Sequence, residues 1–385
     1  MSAAQWRRAM NAGAARLDLG RSPGGTALPA PAMAGAESGA LVGREFPARL
    51  TALWRAVGVR HVLVLIAVLL FPWLVTPFFT FQIGGQALAL GLIALSLTFL
   101  GGYGGMVSLA QMTIAGLAGY MVAIFGASSV KTISLFWPWW LAVVYAVMIA
   151  TTFATFVGWL SVRTEGIYTI MITLAIGVAF FYLAQQNYSL FDGHQGFNQV
   201  YAPTVLGIDF TRPMPYYYLA LFCALAGYFF VKYLIRAPFG IALQGVRENP
   251  RRMYALGFNV IGHRVAAYAV AGFLAAIGGI LMVWYNNRIS PGSAGTGMML
   301  NILIIAVMGG MKHPIGAFIG AIVFVLLQNF AIDLVDRERF NLVIGGVFLL
   351  IVLFSPDGLL GLWERLRAHL PAGSIQSKLV SRSDG

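Results

Sequence analysis

Apolar runs of about twenty residues, recurring along the chain with few charges inside them, constrain this sequence more than any other feature. At 1.5 Å per residue, about 20 apolar residues carry a helix across a hydrocarbon layer of roughly 30 Å. By that measure spans fall at 61–80, 82–100, 105–126, 137–160, 167–185, 216–235, 265–287 and 340–355. The stretch 295–332 is apolar except at Lys312-His313-Pro314, and reads as two shorter crossings or a re-entrant pair turning at that tripeptide. The expected fold is all-α, a polytopic transmembrane bundle of about 8–10 spanning helices. Only 10% of the 385 residues are charged, against roughly a quarter in a soluble domain, so most of the chain does not face water.

The charges that remain sort by side. With the N-terminus in the cytoplasm, 20 of the 25 Lys and Arg fall on that side. They are eight Arg before residue 61, Arg163, six residues from Lys232 to Arg264, Lys312, and four in the C-terminal tail. Lys131, Arg212, Arg288, Arg337 and Arg339 fall on the other. Such sorting follows the positive-inside rule, so both termini are expected in the cytoplasm. The net charge of +12 then reflects topology rather than nucleic-acid binding. Residues 1–55 read as a disordered basic tail, 56–362 as the membrane domain with a cytoplasmic loop at 236–264, and 363–385 as a second tail.

Absences narrow the function. There is no GxxxxGK[ST] sequence, so this chain lacks the phosphate cradle of an ATPase. HExxH, GxSxG and Cys/His clusters are missing, and the lone Cys223 forms no pair, so no catalytic or metal site is expected. The 13 acids all fall in loops, tails or helix ends. An ion-coupled carrier usually keeps a carboxylate or His inside the bilayer. Energy for uphill transport is therefore expected from a partner.

Four segments carry the rest. Leu100-Gly-Gly-Tyr-Gly-Gly-Met-Val-Ser-Leu-Ala-Gln-Met112 breaks two apolar runs. Gly102, Tyr103, Gly104 and Gly105, with Ser108 and Gln111 expected on one helix face, read as cavity-lining backbone or as a tight cytoplasmic turn. Next, Arg247-Glu248-Asn249-Pro250-Arg251-Arg252 leads into a short helix over 250–256, with Asn249 as cap and Gly257 as left-handed stop. Two turns are unstable alone, so this piece packs on a partner subunit or on anionic lipid headgroups. Third, Ala267, Ala271, Ala275 and Gly279, with Gly316 and Gly320, form small-residue ladders suited to close helix packing. Fourth, the exterior loop 186–215 reads as a cap, a partner surface or a solvated loop; its Asp192 and His194 offer two metal ligands without a third.

Over roughly residues 60–362 the chain resembles the M-type permeases of branched-chain amino acid ABC importers. The resemblance rests on Gly-Tyr-Gly-Gly-Met-Val-Ser-Leu (102–109), Pro-Phe-Gly-Ile-Ala-Leu-Gln-Gly-Val-Arg-Glu-Asn (238–249) and Ala-Leu-Gly-Phe-Asn-Val (255–260). Met-Gly-Gly (308–310), Ile-Gly-Ala (315–317) and Ser-Pro-Asp-Gly-Leu-Leu-Gly (355–361) extend it. It implies a bacterial inner-membrane complex with a homologous second permease, two ABC ATPases that bind the ATP and Mg, and a periplasmic solute-binding protein. The segment around Arg247 to Gly257 would be the loop seated in the ATPase. Two departures stand out: Ala110-Gln111 where many members carry Gly-His, and an exterior loop without the usual threonine- and glycine-rich run. Permeases of the same superfamily for urea, short amides or aromatic acids share these motifs, so they are the alternative reading.

Overall fold

The computed structural model describes residues 68–334, apart from 131, 165 and 206, together with 340–355 and 358–362. The predicted tails and residues 61–67 of the first predicted span lie outside them. In chain order the principal helices are α1 (Pro77–Tyr103), α2 (Gln111–Phe125), α3 (Trp139–Ser161), α4 (Ile167–Gln186), α5 (Pro213–Arg236) and α6 (Pro238–Glu248). They continue as α7 (Pro250–Ala255), α8 (Val260–Asn286), α9 (Thr296–Gly309), α10 (Pro314–Leu334) and α11 (Phe340–Phe354). Among the described residues, α1, α3, α4, α5 and α8 are each long and apolar enough to cross a bilayer. The pair α9–α10, bent by 117° at Gly310–His313, makes a sixth candidate. The molecule is thus an all-α, multi-pass membrane protein.

Two predicted boundaries are corrected. The break expected at residue 81 sits at Val75-Thr76, because Pro77 lacks an N–H and suits a first helical turn. Gln82, Gly84 and Gly85, which lower hydropathy there, are absorbed into α1 as a π-helical stretch, Thr80–Gly85. The predicted span 105–126 is helical only over Gln111–Phe125. Fifteen residues rise about 22 Å, short of a full crossing. Residues 105–110 precede it in non-helical backbone.

Burial separates an inner from an outer set. In α1, 83% of the most apolar stretch is buried, and in α8 67%, against 33% in α3 and 28% in α4 and α5. α8 packs most extensively on α3, α2 and α1, while α1 also packs on α10. Lipid tails are as apolar as leucine, so these contacts rely on close van der Waals fit. The small-residue ladder supplies it: Ala267, Ala271, Ala275 and Gly279 are all buried. A Cβ at Gly279 would stand 2.1 Å from the Ala115 carbonyl oxygen, so only glycine lets α8 touch the α2 backbone. Likewise, Gly309 on α9 abuts Gly316 and Gly320 on α10 backbone to backbone.

Between the helices, β1 (Phe197–Asn198) pairs antiparallel with β4 (Arg288–Ile289), and β2 (Thr204–Val205) with β3 (Ile208–Asp209). Phe191 and Phe197 pack edge-on against Tyr120 of α2, with ring centroids at 5.1 and 6.2 Å. The loop 186–215, predicted to be exterior, is therefore docked on the inner helices. Asp209 accepts hydrogen bonds from the Thr211 hydroxyl and from its N–H at 3.0 Å. These bonds hold its carboxyl below the ordinary value of 3.8.

Candidate functional site: an elbow, a glycine-rich break and a buried polar seam

The elbow is built locally. Asn249 lies in extended backbone and its Oδ1 accepts from Arg252 N–H at 3.0 Å, capping α7. Pro250 takes the first helical position, and Gly257 (φ +86°) follows the helix in the left-handed region. Phe258 N–H closes back on the Met253 carbonyl at 3.1 Å, completing the stop. Asn259 repeats the device, its Oδ1 accepting from Gly262 N–H at 2.9 Å to begin α8. α6 buries Leu243 and Val246, and Met253 folds α7 back against Gly245. The opposite face of α7 is uncovered: Tyr254 is 76% and Leu256 66% exposed, flanked by exposed Arg251 and Arg252. Glu248, Asn249 and Gly257 are exposed as well.

The structure divides the predicted pathway residues into two places. Gly102, Tyr103, Gly104 and Gly105 lie on the elbow side. The Arg247 guanidinium donates to the Gly102 carbonyl, at the C-terminal end of α1, where a cation also complements the helix dipole. Gly105 (φ +68°) leaves room for the Arg247 stem, 2.7 Å from where a Cβ would sit. Tyr103 OH donates to the Lys312 carbonyl at 2.9 Å, and a Cβ on Gly102 would stand 2.0 Å from the Met311 carbonyl oxygen. Gly358 (φ +76°) lies against Gly310 from the other side, with Ser355 Oγ donating to the Gly358 carbonyl at 2.7 Å. Four segments distant in sequence thus meet at one hub.

Ser108 and Gln111 belong instead to the interior, both 0% exposed. They do not share a helix face as predicted, because Ser108 precedes α2 in non-helical backbone. Ser96 of α1 meets the Gln111 amide at 3.1 Å, and Thr173 of α4 accepts from Leu109 N–H at 3.1 Å. Tyr268 of α8 faces Ser108 and Ser161, but none of these three hydroxyls is in hydrogen-bond geometry. Thr98 and Thr113 are also buried without partners. Sequence reasoning missed this seam's outer members, Ser96, Thr98, Ser161, Thr173 and Tyr268. Hydroxyls inside otherwise apolar spans were the available signal. It also missed Met311 and Lys312 as partners of the break, although the Lys312-His313-Pro314 interruption marked the turn.

Comparison with known proteins places this geometry. The pattern defining the family described as "Branched-chain amino acid transport system / permease component" matches residues 79–353. The high-affinity branched-chain amino acid transport system permease protein LivM of Escherichia coli K12 is 24% identical over 282 residues, 67% of this chain and 63% of its own length. The ribose import permease protein RbsC of Haemophilus influenzae is 24% identical over 263 residues, 64% of this chain and 78% of its own. The nucleoside ABC transporter permease protein NupC of Lactococcus lactis is 26% identical over 245, 60% of this chain and 74% of its own. The chain thus spans a little under two thirds of the LivM protein it matches. No solved structure matches it. With the matched region running from the start of α1 into α11, and so taking in the elbow, the glycine-rich break and the buried seam, the chain belongs to the branched-chain amino acid transport system permease component family.

Proposed function

We propose that this chain is the membrane-spanning permease subunit of an ATP-binding cassette importer in the bacterial inner membrane. Its solutes are branched-chain or related amino acids. Two partner ATPases supply the energy, a homologous second permease completes the pathway, and a periplasmic binding protein delivers the solute. The observation that carries the reading is α7: a two-turn helix with an uncovered apolar and basic face, joined through Arg247 to the end of α1. A partner that moves α7 therefore pulls on the glycine-rich break. That biases the bundle between two states through differential contacts. The three relatives' names supply two solute classes, amino acids in one and sugars or nucleosides in the others.

The test is the reconstituted complex. Arg251→Glu reverses a charge on the exposed, uncovered face of α7. It should abolish solute-stimulated ATP hydrolysis while the permease still inserts. Undiminished stimulated hydrolysis would remove α7 from the coupling role. Uptake of L-leucine by the wild-type complex distinguishes the amino-acid reading from the sugar and nucleoside one.

A further inference from the structure

The elbow meets the inner helices at a second point, besides the Arg247 contact with α1. α8 opens with Asn259 as cap, which places Phe258 just before the cap and His263 at the fourth helical residue. A packed pair at those two positions is a hydrophobic staple, and it fixes the angle at which the chain enters a helix. Here the two rings meet edge-on, with centroids 6.0 Å apart and planes at 66°. His263 also stacks on Phe239, the second residue of α6, with centroids 5.8 Å apart and planes only 11° apart. Its Nδ1 stands 2.8 Å from the Asn259 carbonyl oxygen. A carbonyl only accepts, so Nδ1 carries the proton and donates, which fixes the orientation of the ring.

These contacts bridge a compliant point in the chain. Gly257 lies in the left-handed region with no atom within 4 Å of its Cβ position, and residues 254–259 are all exposed. With nothing spanning it, a push on α7 would be absorbed there by backbone rotation and would not reach α8. His263 spans it. Its ring ties the start of α8 to Phe239 of α6, and Met253 holds α7 against Gly245 of the same α6. The Phe258 N–H, bonded to the Met253 carbonyl at 3.1 Å, closes the circuit beyond Gly257. α8 is 67% buried over its most apolar stretch and packs on α1, α2 and α3, so a tilt of its first turn is passed to the inner helices.

We propose that His263 is a positioning residue for coupling: its ring locks α6, α7 and the start of α8 into one lever, so that a partner pressing on α7 tilts α8 instead of bending the chain at Gly257. The proposal rests on the importer reading and adds the residue through which α7 reaches α8. The ring matters more than its hydrogen bond, since the ring joins separate elements and Nδ1 reaches only the residue that caps its own helix. The readout is solute taken up per ATP hydrolysed, in proteoliposomes holding the full complex and an L-leucine-loaded receptor. His263→Ala removes both ring contacts and should lower this ratio about fivefold or more while ATP hydrolysis continues. His263→Phe keeps the ring, loses the Nδ1 donor, and should bring the ratio back to within about twofold of wild type. A purely structural role would reduce the amount of assembled complex and leave the ratio of the remainder unchanged. That result, or a ratio as low in His263→Phe as in His263→Ala, overturns the proposal. Phe239→Leu keeps apolar volume and removes only the stacked ring, so it gives the same test without depending on assembly of His263→Ala; an unchanged ratio there overturns the proposal too. A wild-type complex with no ATP-driven uptake overturns the importer reading, whereas wild type and His263→Ala complexes that couple equally well overturn the lever alone.

Discussion

The elbow and the glycine-rich break are both interruptions between helices, yet they are built in opposite ways. In the elbow the starts of α7 and α8 have their caps nearby in sequence, Asn249 and Asn259. Tyr254 and Leu256, by contrast, face outward without cover. In the break, Gly102, Gly104, Met106 and Ser108 are buried while Gly105 is exposed, and the Ser108 hydroxyl has no hydrogen-bond partner. One region has satisfied its polar groups and left apolar surface open, as an interface does. The other has its glycines pressed against the backbone and side chains of distant segments. Arg247 joins the two.

Substitutions can break this contrast, beginning with the largest effect. Gly102→Val would push a side chain into the Met311 carbonyl, 2.0 Å from the Cβ position. With backbone as the obstacle, the cost should be on the order of 3 kcal/mol, read as loss of monodisperse protein in detergent. Gly257→Ala is the control, since no atom lies within 4 Å of its Cβ position and only its left-handed backbone resists.

Next comes Arg247→Met, which keeps the stem and removes the charged hydrogen bond to Gly102. It should lower stability by about 1.5–3 kcal/mol in a thermal-shift assay, with partial recovery in Arg247→Lys. An unchanged midpoint would show that elbow and break are not joined. Asn249→Ala should cost about 1 kcal/mol, confined to α7. The readout is faster proteolysis between residues 250 and 257 with an unaltered global midpoint; a shift of the whole transition would mean the elbow is not a local structure.

The smallest effect lies in the loop 186–215. Asp209 has a folded pKa lowered by the Thr211 bonds, so its contribution to the β2–β3 hairpin is present above its ordinary value of 3.8. It is lost as the pH falls through the lower folded value. Thr211→Val removes the hydroxyl donor and should move the acid opening of this hairpin to higher pH, seen as protease sensitivity of residues 204–212. A hairpin whose opening pH does not move would show that the Thr211 hydroxyl is not what lowers this carboxyl.

Much of the elbow was legible because its signals are local. Asn-Pro at the start and Gly at the stop act within a few residues, and the structure ends α7 within one residue of the expected position. The break was legible as an interruption but not as a structure. Gly101-Gly102-Tyr103-Gly104-Gly105 permits a turn, yet its place is fixed by Met311, Lys312 and Arg247, more than a hundred residues away. Ser108 and Gln111 seemed to share a face because helical spacing was assumed where the backbone is not helical. Similarly, Gln82 and Gly84-Gly85 resembled a loop, but α1 absorbs them as a π-helical stretch.

By itself the sequence determined that this chain crosses a membrane many times and where a short capped helix stands. Hydropathy and capping are set by neighbouring residues and the solvent around them. Only the tertiary structure decided that four distant motifs meet at one hub, and that the start of α2 is shut inside the bundle. Those outcomes depend on which helix backbones approach within contact distance, a property of the whole packing that no window of sequence contains.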